Sequence, residues 1–380
     1  MFIELRGVEF VNKGAELMLH AIMQEVKKRI PEAQFVMEAG SRTPNEKLIS
    51  HGIFRKVKFS KLGWNISPLI DIMPKSAKRS KNLVSENEIH AVLDGSGFAF
   101  GDKWGAKKAG ERSADHIQKW KKAGKKVILL PQAFGPFEKL DLQSKMKTIL
   151  ENADLVFARD VQSYQFLKEI EDLGNLRQSP DFTNLVLGIK PDNKDEFATK
   201  IAIVPNQKMM ETPDSEKNAQ YPSYLAALIQ KLQNAGEKPF FLIHESRKDG
   251  EIAQKVNDLL QEKLEVVKEE NPLKVKGIIG SCKAVVTSRF HGLVSALAQG
   301  VPSLSTGWSH KYQELLKDYD YLEGLCEVSL EEEFLKSKSD LILLESKRES
   351  TKEKLSLNSS IQKAKSTKMW DEVCEKLQVS

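Results

Sequence analysis

Short apolar runs alternate along the chain with longer stretches in which apolar residues recur at three- and four-residue spacing. The runs Met1–Leu5, Gln34–Glu38, His90–Leu93, Lys126–Leu130 and Asp154–Ala158 predict buried strands. Gly14–Arg29, Trp104–Ala123 and Leu140–Asn152 predict helices between them. A stretch from Gly188 to Lys200, with Pro191, Asp192, Asn193, Lys194 and Asp195, reads as a linker. The pattern then restarts. Strands are expected at Lys200–Pro205, Pro239–His244, Leu264–Val267, Ala284–Thr287 and Pro302–Thr306. Helices are expected at Ser223–Asn234, Gly250–Lys263, Pro272–Ser281 and Gly292–Gln299. From Ser329 onward Lys, Glu and Ser dominate with Leu and Ile interspersed, which reads as surface helices.

Short strands alternating with helices predict parallel βαβ units. The expected fold is therefore α/β, with two doubly wound Rossmann-like domains at residues 1–190 and 199–328 and a helical tail at 329–380. Open parallel sheets bind ligands at the carboxyl ends of their strands. Two such domains joined by a linker are expected to face a central cleft that holds the site.

Composition narrows the function. Of 380 residues, 40% are hydrophobic and 29% charged, enough for globular cores. Lys+Arg minus Asp+Glu is 58 − 53 = +5, too mild for this length to announce a nucleic-acid partner. The cysteines Cys282, Cys326 and Cys374 are far apart and odd in number, which speaks against a disulfide framework and a Cys-x-x-Cys zinc site. No apolar run approaches the ~18–20 residues of a membrane helix, and no basic start with an apolar stretch marks a signal peptide. A cytoplasmic protein is expected, with peripheral contact at the inner face of the membrane left open.

Four strand-end loops carry unusual chemistry. In Val11-Asn12-Lys13-Gly14-Ala15-Glu16, Asn12 is a good N-cap and Gly14 lets backbone approach a ligand. The free N–H groups there form an anion site, although a helix cap alone explains the loop equally well. Asp94-Gly95-Ser96-Gly97-Phe98-Ala99-Phe100-Gly101 follows a buried strand. Its glycine spacing is one residue longer than the dinucleotide fingerprint, and no Gly-Lys-Ser/Thr follows. Pro131-Gln132-Ala133-Phe134-Gly135-Pro136 predicts a rigid bend in which Gln132 could hold a hydroxyl-rich ligand. The fourth is Thr287-Ser288-Arg289-Phe290-His291-Gly292, with Gly300-Val301-Pro302 and Gly307-Trp308-Ser309-His310-Lys311 after it. Cations where a helix begins add to its positive end, which is unfavourable without an anion. Pairing of Arg289 with a core carboxylate is the competing explanation.

Other signals are weaker. Asp318-Tyr319-Asp320 matches an Asp-x-Asp metal pattern but follows a helix, and reads as solvated carboxylates. Lys75, Lys78, Arg79 and Lys81 form a basic run that reads as a solvated face, with attraction of an anionic acceptor or membrane surface as the alternative. His20 falls in a helix pattern and reads as structural. His244-Glu245 ends a strand of the second half and could face the cleft.

In this order the loops resemble the polysaccharide pyruvyl transferase family. The matching features are Asn12-Lys13-Gly14-Ala15-Glu16, Gly95-Ser96-Gly97, Gln132 with Gly135-Pro136, Arg159 with Ser163, and Pro180-Asp181. They continue through Ser288-Arg289-Phe290-His291-Gly292 and Gly300-Val301-Pro302 to Lys311. The glycine turn reads Asp-Gly-Ser-Gly where many relatives have consecutive glycines. The resemblance implies a GT-B-like fold and transfer of a pyruvyl group from phosphoenolpyruvate to a sugar or lipid-linked glycan of a cell-surface polysaccharide, forming a cyclic ketal. No metal is required, since side chains supply the cations, and no cofactor is expected. Arg159, Arg289 and Lys311, with Asn12 and Gly14, would bind the donor. Gly95, Ser96, Gly97 and Gln132 would take the acceptor, which assigns the acceptor to the N-terminal domain and the donor mainly to the C-terminal one.

The chemistry suits these side chains. Phosphoenolpyruvate carries a carboxylate and a phosphate, which Arg binds in a bidentate manner and Lys as a point charge. His291 is the candidate for proton transfer, and Asp181 or Glu245 for deprotonating a hydroxyl. Two alternatives stand beside this reading: a GT-B nucleotide-sugar glycosyltransferase, and a glycan-binding protein without turnover.

Overall fold

The apolar runs form strands of two separate parallel sheets. In this computed structural model the described residues are 1–56, 60–61, 64–65, 73–243, 247–307 and 309–379. The chain divides into two compact units, Met1–Phe182 with Ser366–Ser380, and Thr183–Lys365.

The first unit contains β1 (Phe2–Arg6), β2 (Gln34–Glu38), β3 (Phe54–Lys56), β4 (Leu83–Val84), β5 (Ile89–Asp94), β6 (Phe98–Phe100), β7 (Lys126–Phe134), β8 (Leu155–Ala158) and β9 (Leu176–Gln178). Their order is β9-β8-β7-β5-β1-β2-β3-β4, with β6 pairing the end of β7, and every pairing is parallel. A separate antiparallel pair joins Ser60–Lys61 to Trp64–Asn65. The second unit contains β10 (Lys200–Val204), β11 (Lys238–Ile243), β12 (Val266–Lys268), β13 (Ala284–Thr287), β14 (Ser303–Thr306) and β15 (Leu325–Cys326), in the parallel order β12-β11-β10-β13-β14-β15.

Burial explains why these strands read as continuous apolar runs. In β10, Ile201 and Ile203 join one core with Tyr224, Leu228 and Leu232 of the helix Ser215–Asn234. Ala202 and Val204 join another with Ile278, Ile279 and Ala296. Alternate side chains thus face helices on both sides of the sheet. In the first unit Val127, Leu129 and Val156 pack with Trp120, Met146 and Ile149. The last helix, Glu345–Gln378, contributes fully buried Trp370, which meets Phe182 edge-on at 5.6 Å. Among the described residues, no helix is long and apolar enough to cross a membrane.

Where expectation and structure differ, the cause is local. The rigid bend expected over Pro131–Pro136 falls at its far end: β7 runs through Pro131 to Phe134, and the chain turns at Gly135, whose φ is 80°. The β7–β8 ladder jumps from Leu129 to Gln132, so Pro131, which has no N–H to donate, falls at the interruption. The helix expected from Ser223 starts eight residues earlier, with Pro222 inside it. The helix begins at Ser215, capped by the Asp214 carboxylate accepting from Lys217 N at 3.0 Å, and buried Tyr221, Tyr224 and Leu225 hold it through the proline. The helix expected over Trp104–Ala123 is three shorter pieces, Gly105–Ala109, Gly110–Ala114 and Ile117–Lys122. The linker is not an open tether: Ile189 N donates to Leu273 O at 2.9 Å, and a Cβ on Gly277 would lie 1.8 Å from the Ile189 carbonyl oxygen. The basic run is only partly solvated. Lys78 and Arg79 pair with Glu88 at 2.7 and 2.6 Å, and Arg79 lies 4.4 Å from the Phe2 ring centroid.

Candidate active site

Both sheets reverse strand order beside a central strand, and the loops that leave there diverge. In the second unit the reversal lies between β10 and β13. The loops at that edge contain Asn206 and Ser288-Arg289. Asn206 Nδ2 donates to Ser288 O at 2.7 Å, and Ser288 N donates to Val204 O at 3.0 Å. The Ser288 hydroxyl is held by Tyr221 at 2.8 Å and Thr306 at 2.6 Å, while the Tyr312 hydroxyl donates to Ser288 O at 2.9 Å. Burial pushes the Tyr221 phenol up to about 12 and also raises Tyr312, so both stay protonated donors at neutral pH. Four elements thereby fix the residue before Arg289.

Arg289 is the N-cap of the helix Phe290–Leu297, and its backbone N–H donates to Thr287 Oγ1 at 3.1 Å. Its guanidinium pairs with buried Asp249, whose other oxygen accepts from Gln207 N at 2.9 Å. The core carboxylate considered as a competing partner is therefore present. Burial lowers Arg289 to about 10, so it remains a cation at neutral pH. Phe290 stands between the other two side chains: its ring is 5.4 Å from that of His291 and 5.0 Å from Lys311 Nζ. The structure thus gathers Arg289, His291 and Lys311 around one turn. Glu245, His244 and Trp308 lie outside the described residues.

In the first unit, Arg159 and Asp181 follow β8 and β9 and are both buried. Arg159 Nη1 and Asp181 Oδ2 are 3.0 Å apart, so two residues expected in separate roles form one ion pair. Arg159 N also donates to Gln132 O at 2.9 Å, which places this pair beside the Gln132 segment. Asn12 caps the helix Lys13–Arg29, accepting from Ala15 N at 2.9 Å, and Gly14 is buried in its first turn. His20 is half-buried in that helix, and burial, then nearby His51, lowers it to about 4. Asp320 is exposed and pairs with Lys354 at 3.6 Å.

The Gly95-Ser96-Gly97 turn has a packing reason, since a Cβ on Gly95 would lie 2.8 Å from Ile22 Cδ1. It also has a polar surplus. Asp94 Oδ2, Ser96 Oγ and Gln132 Oε1 are buried side-chain oxygens with no hydrogen-bond partner among the described residues. Gln132 Nε2 reaches Asp94 Oδ1 at 3.5 Å, so Asp94 and Gln132 are neighbours. Sequence reasoning missed Asp94, Asn206 and Asp249. Asp94 and Asn206 stand at or just after the ends of central strands, a positional signal that was present. Asp249 sits inside a helix and gave none.

Comparison with known proteins bears on the family and the fold. The chain matches the family model "Polysaccharide pyruvyl transferase" over residues 12–310. No curated protein matches its sequence. Among solved structures it is similar to HepE of Anabaena in complex with UDP-glucose, at 14% identity and TM-score 0.59, covering 99% of this chain and 98% of that one. It is similar to MnaA of S. aureus with UDP, at 12% identity and TM-score 0.56, covering 93% and 90%. It is also similar to UGT2 of Phytolacca americana with UDP-2fluoro-glucose and pterostilbene, at 11% identity and TM-score 0.56, covering 100% of both chains. At these identities the likeness is one of fold, α/β with two Rossmann-like parallel sheets of GT-B-like class. With the family model spanning most of its length, the chain belongs to the polysaccharide pyruvyl transferase family.

Proposed function

We propose that the protein transfers a pyruvyl group from phosphoenolpyruvate to two hydroxyls of a glycan acceptor, releasing phosphate and leaving a cyclic ketal. The observation that carries this reading is the Ser288–His291 turn, where Arg289 is held as a cation at a helix N-terminus with His291 and Lys311 about Phe290. A carboxylate and a phosphate on one small molecule suit such a set.

The reaction needs a proton on the enol methylene carbon. The adjacent carbon then becomes cationic, one sugar hydroxyl attacks it, phosphate departs, and the second hydroxyl closes the ring. One hydroxyl proton is balanced by that on the new methyl group and the other leaves with phosphate. His291 serves this proton transfer. Arg289 and Lys311 of the second unit bind the anionic groups, and in the first unit Arg159, Asn12 and Gly14 are the donor-binding candidates. The Asp181 carboxylate, already shared with Arg159, or Glu245 accepts a hydroxyl proton. Buried Asp94 Oδ2, Ser96 Oγ and Gln132 Oε1 supply hydrogen-bonding capacity for a sugar, beside Gly95 and Gly97.

The second reading is nucleotide-sugar transfer, favoured by the UDP and UDP-glucose bound to structural neighbours. A thermal-shift panel separates the two. Stabilisation by phosphoenolpyruvate and not by UDP or UDP-glucose supports pyruvyl transfer; the reverse supports glycosyl transfer. A tightly bound glycan with no release of phosphate would instead mark a binding protein.

A further inference from the structure

Two histidines and a glutamate to which the pyruvyl-transfer chemistry assigns no role meet in the first unit. Glu16 and His20 are four apart on the helix Lys13–Arg29, so their side chains share a face. His51 is the C-cap of the short helix Asn45–Ser50 and brings its ring to 5.6 Å from that of His20. The three residues offer one ligand atom each, all within 4.8 Å of one another; among the described residues no other such group of three or more occurs. Glu16 is buried and both histidines are half-buried, so the cluster is neither a solvated surface patch nor sealed from entry.

The surroundings orient these donors. His51 Nδ1 lies 2.8 Å from the Lys47 carbonyl. A carbonyl only accepts, so Nδ1 carries the proton and Nε2 keeps its lone pair, the arrangement found in metal-binding imidazoles. Phe10 packs its ring 4.8 Å from that of His51 and limits its rotation. Lys13 holds Glu16 Oε2 at 2.8 Å, and a monodentate carboxylate needs only its other oxygen. Among the described residues no hydrogen bond reaches the His20 ring, leaving its nitrogens to a ligand.

We propose that Glu16, His20 and His51 form a binding site for one divalent transition-metal ion of the zinc class, tying the helix Lys13–Arg29 to the segment that ends at His51. Two imidazoles and one carboxylate favour such an ion over magnesium or calcium, which prefer oxygen ligands. Tetrahedral coordination with bonds of ~2.0–2.2 Å sets donors ~3.3–3.5 Å apart, a small contraction from the 4.8 Å within which they all lie here. Three protein ligands leave a fourth position for water or an anion. The ion has no part in the proposed ketal chemistry, so the two readings fail independently.

The test uses the full-length, tag-free chain stripped with EDTA and titrated with Co2+, read by visible absorption, then with Zn2+ by calorimetry. One equivalent of Co2+ is expected, with the absorption of a four-coordinate site, and Zn2+ should displace it and raise the melting temperature. His20→Ala and His51→Ala should each weaken binding at least ~10-fold. His51→Gln retains polarity and approximate size, so its loss of binding at an unchanged metal-free melting temperature separates ligation from folding. Absence of Co2+ binding by the parent chain, or equal affinity in all three variants, overturns the site.

Discussion

The side-chain amide of Asn206 is bonded to the carbonyl of Ser288 at 2.7 Å, locking the end of β10 to the end of β13 where strand order reverses. Arg289 inherits its position from this bond. Asn206→Ala should destabilise the second unit by ~1–3 kcal/mol, because it leaves a buried carbonyl with one partner fewer. It should also lower phosphate release from phosphoenolpyruvate more than it raises KM for acceptor. Urea unfolding and steady-state kinetics read the two effects.

Arg289 and Asp249 are a largely buried ion pair, so each protects the other from an uncompensated charge. Arg289→Met should cost up to ~3–5 kcal/mol, and Arg289→Met with Asp249→Leu should recover much of it without recovering activity. Separate recovery of stability and loss of turnover would show that the cation serves the ligand as well as the fold. Denaturation curves and phosphate assays on the single and double variants decide it.

His291→Ala should retain the parent melting temperature within a few degrees and lose ~10²–10⁴-fold in kcat, the usual worth of acid–base assistance. Phosphoenolpyruvate should still stabilise this variant in a thermal-shift assay, because the cations that bind it remain.

Gly277→Ala tests the contact between the 188–200 segment and the helix Pro272–Ser281. The new methyl would lie 1.8 Å from a backbone carbonyl oxygen, which cannot rotate aside as a side chain can. A loss of ~1–3 kcal/mol or more is expected in equilibrium unfolding.

Acid should weaken the first unit through Glu86. Burial alone would raise this carboxyl, but the Lys56 charge and the Lys125 hydrogen bond outweigh it and hold it at about 2, below its usual 4.5. Its folded value is depressed, so its contribution is complete above about 4.5 and is lost as pH falls toward about 2. Because Glu86 is partly open to water, the contribution is ~1–2 kcal/mol. Glu86→Gln should lower stability at neutral pH and flatten its decline between these values in urea titrations.

Much of the architecture was legible because strands buried on both faces leave continuous apolar runs. Gln34–Glu38 and Ala284–Thr287 could be read to the residue for that reason. Short edge strands such as Leu83–Val84 and Leu325–Cys326 gave no such run and were invisible. Pro131 and Pro222 misled because proline's local penalty was overruled, by an interrupted ladder in one case and an aromatic core face in the other. The turn at Arg289 was legible from its cations and its helix start. Its partner Asp249 was not, because forty residues separate the two and no local periodicity encodes that pairing.

The central claim, pyruvyl transfer, is tested most directly by mass spectrometry of candidate glycans after incubation with phosphoenolpyruvate, with released phosphate measured in parallel. The account predicts one pyruvate ketal on the glycan for each phosphate released, with both products formed ~10²–10⁴-fold more slowly by His291→Ala. Glycans that gain a sugar from UDP-glucose while phosphoenolpyruvate stays intact would contradict it.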